Sequence, residues 1–213
     1  MNARVHAKLL SLLVAGVIFA GPASAQVGRN SGNIAYLDVA AEADLAKLPH
    51  MTPVLAKDLA AKRPFANASA LDAALAGLSA DQKKELYAKA FLPINLNTAS
   101  EAEILLIPGM TKRMAHEFEE YRPYTSLEQF RKEMGKYVDQ AEVARLEQFV
   151  FIPMNLNTAS AEVLSTIPGM TKRMVHEFEE YRSYQNIEQF RKEIGKYVDK
   201  NEVARFERYV TLK

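Results

Sequence analysis

Two short stretches carry the residue types best suited to holding an anion. Gly109-Met110-Thr111-Lys112-Arg113 and Gly169-Met170-Thr171-Lys172-Arg173 each follow a proline, and each joins a bend, a capping hydroxyl and two adjacent cations. Pro108-Gly109 and Pro168-Gly169 stop one helix, and Thr111 and Thr171 suit the N-cap of the next. A helix opened in this way aims backbone N–H groups and the positive end of its dipole at an incoming oxyanion, to which the Lys-Arg pair adds charge. Lys136 and Lys196, in a second turn further along, are placed to reach the same side. The chemistry implied is phosphate binding that positions a polyanion without reading its bases. Two features oppose it. A threonine oxygen that caps its own helix occupies donors a phosphate would use. Glu117, Glu119 and Glu120, with Glu177, Glu179 and Glu180, also follow within two turns, so the same residues read equally well as a solvated face of mixed sign.

Other constellations fall short of catalysis. His116 and Glu120 have the i, i+4 spacing of a metal-binding pair, as do His176 and Glu180, but no third ligand accompanies either. The chain has no cysteine, which excludes disulfides, thiolate metal sites and a thiol nucleophile. Neither a G-x-S-x-G elbow nor a phosphate loop occurs. The expectation is a non-enzymatic protein with no metal, no cofactor and no small-molecule substrate.

The elements that must position these residues come from an internal repeat. Shifted by 60 residues, Phe91 to Val150 matches Phe151 to Val210 at about 41 positions without a gap, a record of tandem duplication. A diverged third copy lies upstream. There, Leu48-Pro49-His50-Met51-Thr52 falls on Ile107 to Thr111, and Arg63-Pro64-Phe65 falls on Arg122-Pro123-Tyr124. In the middle copy Thr98 and Glu101 fit a capping box, and Met114, Phe118 and Tyr121 recur at helical spacing. Ser126 and Asp139 suit two further N-caps, and Val143, Leu146 and Val150 line an inner face. Each copy thus reads as four short helices of about 8 to 12 residues, and no run alternates with period two, so strands are not expected. Phe118, Tyr121, Tyr124, Phe130 and Tyr137, with their copies, read as core residues with tyrosine hydroxyls at the rim. The fold class is all-α, built from tandem units over 36–93, 94–153 and 154–213.

The N-terminus reads as a cleaved secretory signal over 1–25. Arg4 and Lys8 precede an apolar run from Leu9 to Ala20, then Gly21-Pro22 and the small-residue pattern Ala23-Ser24-Ala25. That run is too short to span a bilayer. The mature chain is then expected to be periplasmic or secreted, with no membrane span and with a flexible leader over 26–35. The full chain carries a net charge of +1. Removing Arg4 and Lys8 leaves 25 basic against 26 acidic residues, and the first unit with its leader (26–93), the second and the third carry +1, −3 and +1, so no unit is strongly basic.

Asn95-Leu96-Asn97-Thr98-Ala99-Ser100 with Ile107-Pro108-Gly109-Met110-Thr111, and their copies at Asn155 to Ser160 and Ile167 to Thr171, resemble the tandem helix-hairpin-helix domain of ComEA-type competence proteins. That resemblance implies extracytoplasmic binding of double-stranded DNA during DNA uptake. It places Gly109, Met110, Thr111, Lys112, Arg113 and Lys136, with Gly169, Met170, Thr171, Lys172, Arg173 and Lys196, at the DNA. The family's hairpin usually reads Gly-hydrophobic-Gly, whereas threonine stands second here. The Pro-Gly-hydrophobic-Thr form is also similar to a hairpin of PsbU, whose units contact protein. Double-stranded DNA and an envelope protein partner are therefore both expected classes of ligand.

Overall fold

A computed structural model of the chain describes residues 26–29 and 34–213. The expected signal segment over 1–25, and residues 30–33 of the expected leader, lie outside the described residues. Among the described residues the same order of elements occurs three times. The first unit runs β1 (Ala35–Tyr36), α1 (Glu42–Leu45), α2 (Pro53–Ala61), α3 (Ala68–Ala74), α4 (Ala80–Tyr87) and β2 (Ala90–Phe91). The second repeats this as β3 (Ile94–Asn95), α5 (Glu101–Ile104), α6 (Lys112–Glu120), α7 (Leu127–Met134), α8 (Gln140–Glu147) and β4 (Val150–Phe151). The third is β5 (Met154–Asn155), α9 (Ala161–Leu164), α10 (Lys172–Glu180), α11 (Ile187–Ile194), α12 (Lys200–Glu207) and β6 (Val210–Thr211). No described helix is long and apolar enough to cross a membrane.

The capping chemistry explains where the helices begin. Thr111, Ser126 and Asp139 each accept the N–H three residues on, from Met114, Gln129 and Glu142, as their side chains lead one to expect. The expected capping box at Thr98 is displaced by two residues: Ser100 and Glu103 form it. Thr98-Ala-Ser-Glu101 and Ser100-Glu-Ala-Glu103 overlap, and an upstream turn selects the later one. Asn95 accepts the Asn97 N–H through its side chain and the Thr98 and Ala99 N–H groups through its carbonyl, so Thr98 is still in the turn. The first helix of each unit is therefore a single turn of four residues, shorter than the periodicity suggested.

The strands correct the all-helical expectation. Each unit's first and last two residues of regular structure pair in parallel: Ala35 with Ala90, Ile94 with Val150, Met154 with Val210. Two-residue strands are too short to show alternation in sequence, and they form because the helices bring the two ends of a unit together. The leader departs from expectation as well. Val27 is buried and bridges Phe151 in antiparallel fashion, so Gln26 to Arg29 form a docked segment rather than a free one.

Of the aromatic residues expected inside, Phe118, Tyr124 and Phe130 and their copies are buried and Tyr121, Tyr137 and their copies are half-buried, but the Tyr124 and Tyr184 hydroxyls lie inside and not at the rim. Phe118 meets Phe130 edge-on at 5.2 Å, Phe178 meets Phe190 likewise, and Tyr121 and Tyr137 join hydroxyls at 2.8 Å at the rim. Leu37, Phe91, Phe118 and Phe149 belong to one continuous core shared by the first two units, and Val27 and Phe151 join the core of the third. Tyr124 and Tyr184 are buried with hydroxyls that find no partner among the described residues, whereas the first unit has Phe65 in the same place. A buried orphan hydroxyl is a net cost. Tyr124→Phe and Tyr184→Phe are therefore expected to leave urea stability unchanged or raise it by up to about 1 kcal/mol. A comparable loss would mean that the hydroxyls are satisfied after all.

A second set of polar contacts ties the turns together. Arg122 donates to the carbonyls of Leu96 and Ala99, each at 2.6 Å, and Asn97 exchanges two hydrogen bonds with the backbone of Tyr124. Arg182 and Asn157 repeat this in the third unit. In the first unit the asparagine is replaced by Asp38, which still accepts from the Phe65 N–H. Its other oxygen takes Arg208 of the third unit at 2.8 Å, and Arg208 also donates to the Pro93 carbonyl. Arg208 itself replaces Gln148 of the second unit. Both members of this contact between the first and third units are thus positions where the repeat departs from itself. Burial outweighs Arg208 and the Phe65 N–H, and it pushes the Asp38 carboxyl above the usual aspartate range.

Candidate nucleic-acid interface

The bend before α6 is closed by the Met110 N–H donating to the Ile107 carbonyl, with Gly109 at φ 79°. The bend before α10 is the same, with Gly169 at φ 73°. Both glycines occupy the left-handed region that side chains disfavour. Thr111 and Thr171 each take a single amide, that of Met114 or Met174. The N–H groups of Lys112 and Arg113, and of Lys172 and Arg173, have no hydrogen-bond partner among the described residues. They lie at the positive end of nine-residue helices whose first turns hold no acid. The threonine oxygen therefore leaves the first two amides of each helix available to an anion. Gly109, Thr111, Lys112 and Arg113 are exposed and Met110 is half-buried, and Gly169 to Arg173 follow the same pattern.

The acidic residues that follow are not all on a solvated face. Glu117 and Glu177 are buried, each with one carboxylate oxygen lacking a hydrogen-bond partner among the described residues. Glu119 pairs with Arg122 at 3.3 Å and Glu179 with Arg182 at 3.4 Å. His116 and His176 lie 3.7 and 3.4 Å from Glu120 and Glu180 on exposed helix surface, and no trio of metal-ligating side chains gathers among the described residues.

Lys136 and Lys196 do not project freely. Each ammonium is held by a glutamate, Glu133 or Glu193, and lies over a tyrosine ring, 4.7 Å from the Tyr121 centroid and 4.8 Å from that of Tyr181. The bond to the glutamate is the main reason both lysines hold their protons above the ordinary range. In the third unit the tyrosine pair connects this turn to the helix start. Arg173 sits 5.5 Å from the Tyr197 ring, Tyr197 bonds to Tyr181, and Lys196 covers Tyr181. Glu177, 4.0 Å from Arg173, lies beneath them. The second turn of the second and third units is capped by an aspartate carboxylate, Asp139 or Asp199, which disfavours an anion there.

Two arginines that sequence reasoning did not single out lie against the bends. A side chain at Gly109 would come within 3.4 Å of Arg145, and one at Gly169 within 3.3 Å of Arg205 and 3.0 Å of Val39 in the first unit. Arg145 and Arg205 are held by Glu142 and Glu202 through paired bonds of 2.6 and 2.7 Å, and Arg205 also donates to the Pro168 carbonyl. The duplicated Glu-Val-Ala-Arg was the available signal.

The first unit has lost these features together. His50 stands at the glycine position with φ 59°, and Pro53 removes an amide that Lys112 supplies in the second unit. Val54 replaces the arginine and is 71% exposed, and Glu85 stands where Arg145 does, 2.7 Å from His50. Only the second and third units retain the anion-facing arrangement.

No family model matches the chain, and no solved structure matches it. A frog protein, endonuclease/exonuclease/phosphatase family domain-containing protein 1 of Xenopus laevis, is 32% identical to it over a region covering 43% of this chain. That region amounts to 22% of the frog protein, so the chain spans about a fifth of the length of the relative it matches.

Proposed function

We propose that the chain is a non-catalytic helix-hairpin-helix protein that binds double-stranded DNA without sequence preference, through the bends of its second and third units. One observation carries this reading: the first two amides of α6 and of α10 are unpartnered among the described residues, and each pair belongs to an exposed Lys-Arg. Such a helix start binds one phosphate, and two of them in tandem add affinity through effective concentration. The similarity to a protein named for an endonuclease/exonuclease/phosphatase domain supports a nucleic-acid setting. We further propose that the protein works outside the cytoplasm in DNA uptake or retention, as the ComEA resemblance and the expected signal peptide suggest. Titrating labelled duplex with the chain at ~50 and ~200 mM salt tests the reading, since affinity must fall steeply between the two if phosphates are the ligand. Absence of binding at the lower salt would overturn it.

A protein-binding array is the second reading, and the first unit favours it. Pro53 and the exposed Val54 suit an apolar contact better than a phosphate.

A further inference from the structure

The leader marks a receiving surface that the third unit repeats. On the second unit, the Gly28 N–H donates to the Val150 carbonyl at 3.1 Å, and the Ile152 N–H donates to the Gln26 carbonyl at 2.8 Å. Val27 lies between them, antiparallel to Phe151 and buried. The Arg29 N–H reaches the Glu147 carboxylate at 3.3 Å, and Arg131 holds that carboxylate through bonds of 2.6 and 2.8 Å. A side chain on Gly28 has no space, because its first carbon would fall 1.6 Å from the Glu147 carbonyl oxygen. This edge therefore selects an extended segment with an apolar residue followed by glycine.

The third unit presents the same groups. Val210 stands for Val150, Leu212 for Ile152, and Val203 and Ala204 for Val143 and Ala144. Glu207, held by Arg191 at 2.7 and 2.6 Å, stands for Glu147. Among the described residues no strand lies on this edge of β6, and the Glu207 side chain is 28% exposed against 6% for Glu147. Two walls differ: Thr211 replaces Phe151, and the third-unit core that Val27 joins has no counterpart beyond β6 among the described residues, so an apolar side chain meets less surface.

We propose that the open edge of β6, with Glu207, is a docking site for an extended segment of a partner protein that has the leader's chemistry, an apolar residue followed by glycine. The segment adds as an antiparallel strand whose main-chain groups bond the Val210 carbonyl and the Leu212 N–H. The leader of a second copy is the less favoured occupant, because it would abandon an equivalent seat on its own second unit. This site is independent of the DNA-facing bends, so neither reading depends on the other.

The test is an NMR titration of the full chain with acetyl-Gln-Val-Gly-Arg-amide. Saturable shifts are expected at the amides of Glu207, Val210 and Leu212 at up to millimolar peptide. The same peptide with alanine for glycine is expected to bind at least tenfold more weakly, a loss that does not depend on any protein variant. Leu212→Pro, which removes the receiving N–H, is expected to abolish the shifts while the second unit's spectrum stays intact. No shift at these amides would overturn the proposal, as would equal binding of the alanine peptide. Shifts at Val150 and Ile152 in their place would show exchange with the leader. Concentration-dependent dimers of the unliganded protein, with the leader released from the second unit, would identify a second copy as the occupant. Either of these last two results also counts against a partner segment.

Discussion

Replacing Asp38 with alanine is expected to lower the unfolding free energy by about 3–5 kcal/mol, because it leaves Arg208 in a place shaped for a pair. The Asp38 side chain is 3% exposed and that of Arg208 14%, so water cannot easily restore the lost partner. Asp38→Asn should cost far less, within about 1 kcal/mol of the native chain, because burial already favours the uncharged form of this group. It keeps the acceptor for the Phe65 N–H, as Asn97 and Asn157 do for Tyr124 and Tyr184, and loses only the charge facing Arg208. The informative variant is the double one, Asp38→Asn with Arg208→Gln, which restores the residues found at Asn97 and Gln148 of the second unit. It is expected to be more stable than the sum of the single losses predicts, the signature of coupled neighbours. Urea unfolding of the four proteins checks this, and three losses that simply add would remove the contact from any account of how the first and third units are joined.

Acidity gives that contact a recognisable sign. Because the Asp38 carboxyl is held above its ordinary range in the folded chain, the folded state takes up this proton before the unfolded state does. The contribution of this one group to stability therefore rises as pH falls through the raised pKa toward about 3.8, and it declines as pH rises through the same window. Ordinary paired carboxylates behave in the opposite way. The stability difference between the native chain and Asp38→Asn should shift in that direction when measured across the window.

The second large effect concerns DNA. Replacing Lys112, Arg113, Lys172 and Arg173 together with alanine is expected to weaken duplex binding on the order of 10²–10³-fold at ~0.1 M salt, and to lower the slope of log affinity against log salt by about 3 to 4. Each pair alone should remove about half of that slope. All four side chains are exposed, so thermal stability should barely move, which separates lost contacts from lost folding. A full salt slope in the quadruple variant would transfer the phosphate contacts to other residues.

What was legible in the sequence is local. Thr111, Ser126 and Asp139 cap helices where their hydroxyl or carboxylate leads one to expect, and Gly109 and Gly169 turn through a conformation that suits glycine. Helical spacing identified Phe118 and Phe130 as interior. What escaped depends on residues far apart in the chain. Two overlapping capping boxes cannot be ranked until the Asn95 turn is in place, and two-residue strands have no periodicity to detect. Glu117 looks like its neighbours Glu119 and Glu120 until the fold buries it. Nor could sequence show that Lys136 and Lys196, grouped there with the hairpin residues, are already engaged by Glu133 and Glu193.

The parallel pairing of each unit's two ends bears on how such a chain grows. Entry and exit of a unit run side by side at about one strand spacing, ~4.8 Å, so a whole 60-residue bead can be copied in or cut out with little disturbance at the joint. The Asp38–Arg208 bond works against that freedom, since it links the first bead to the third and would be lost with one more or one fewer between them. The presence of one bead between these two has become part of the structure, and the two substitutions stand where the copies stopped being interchangeable.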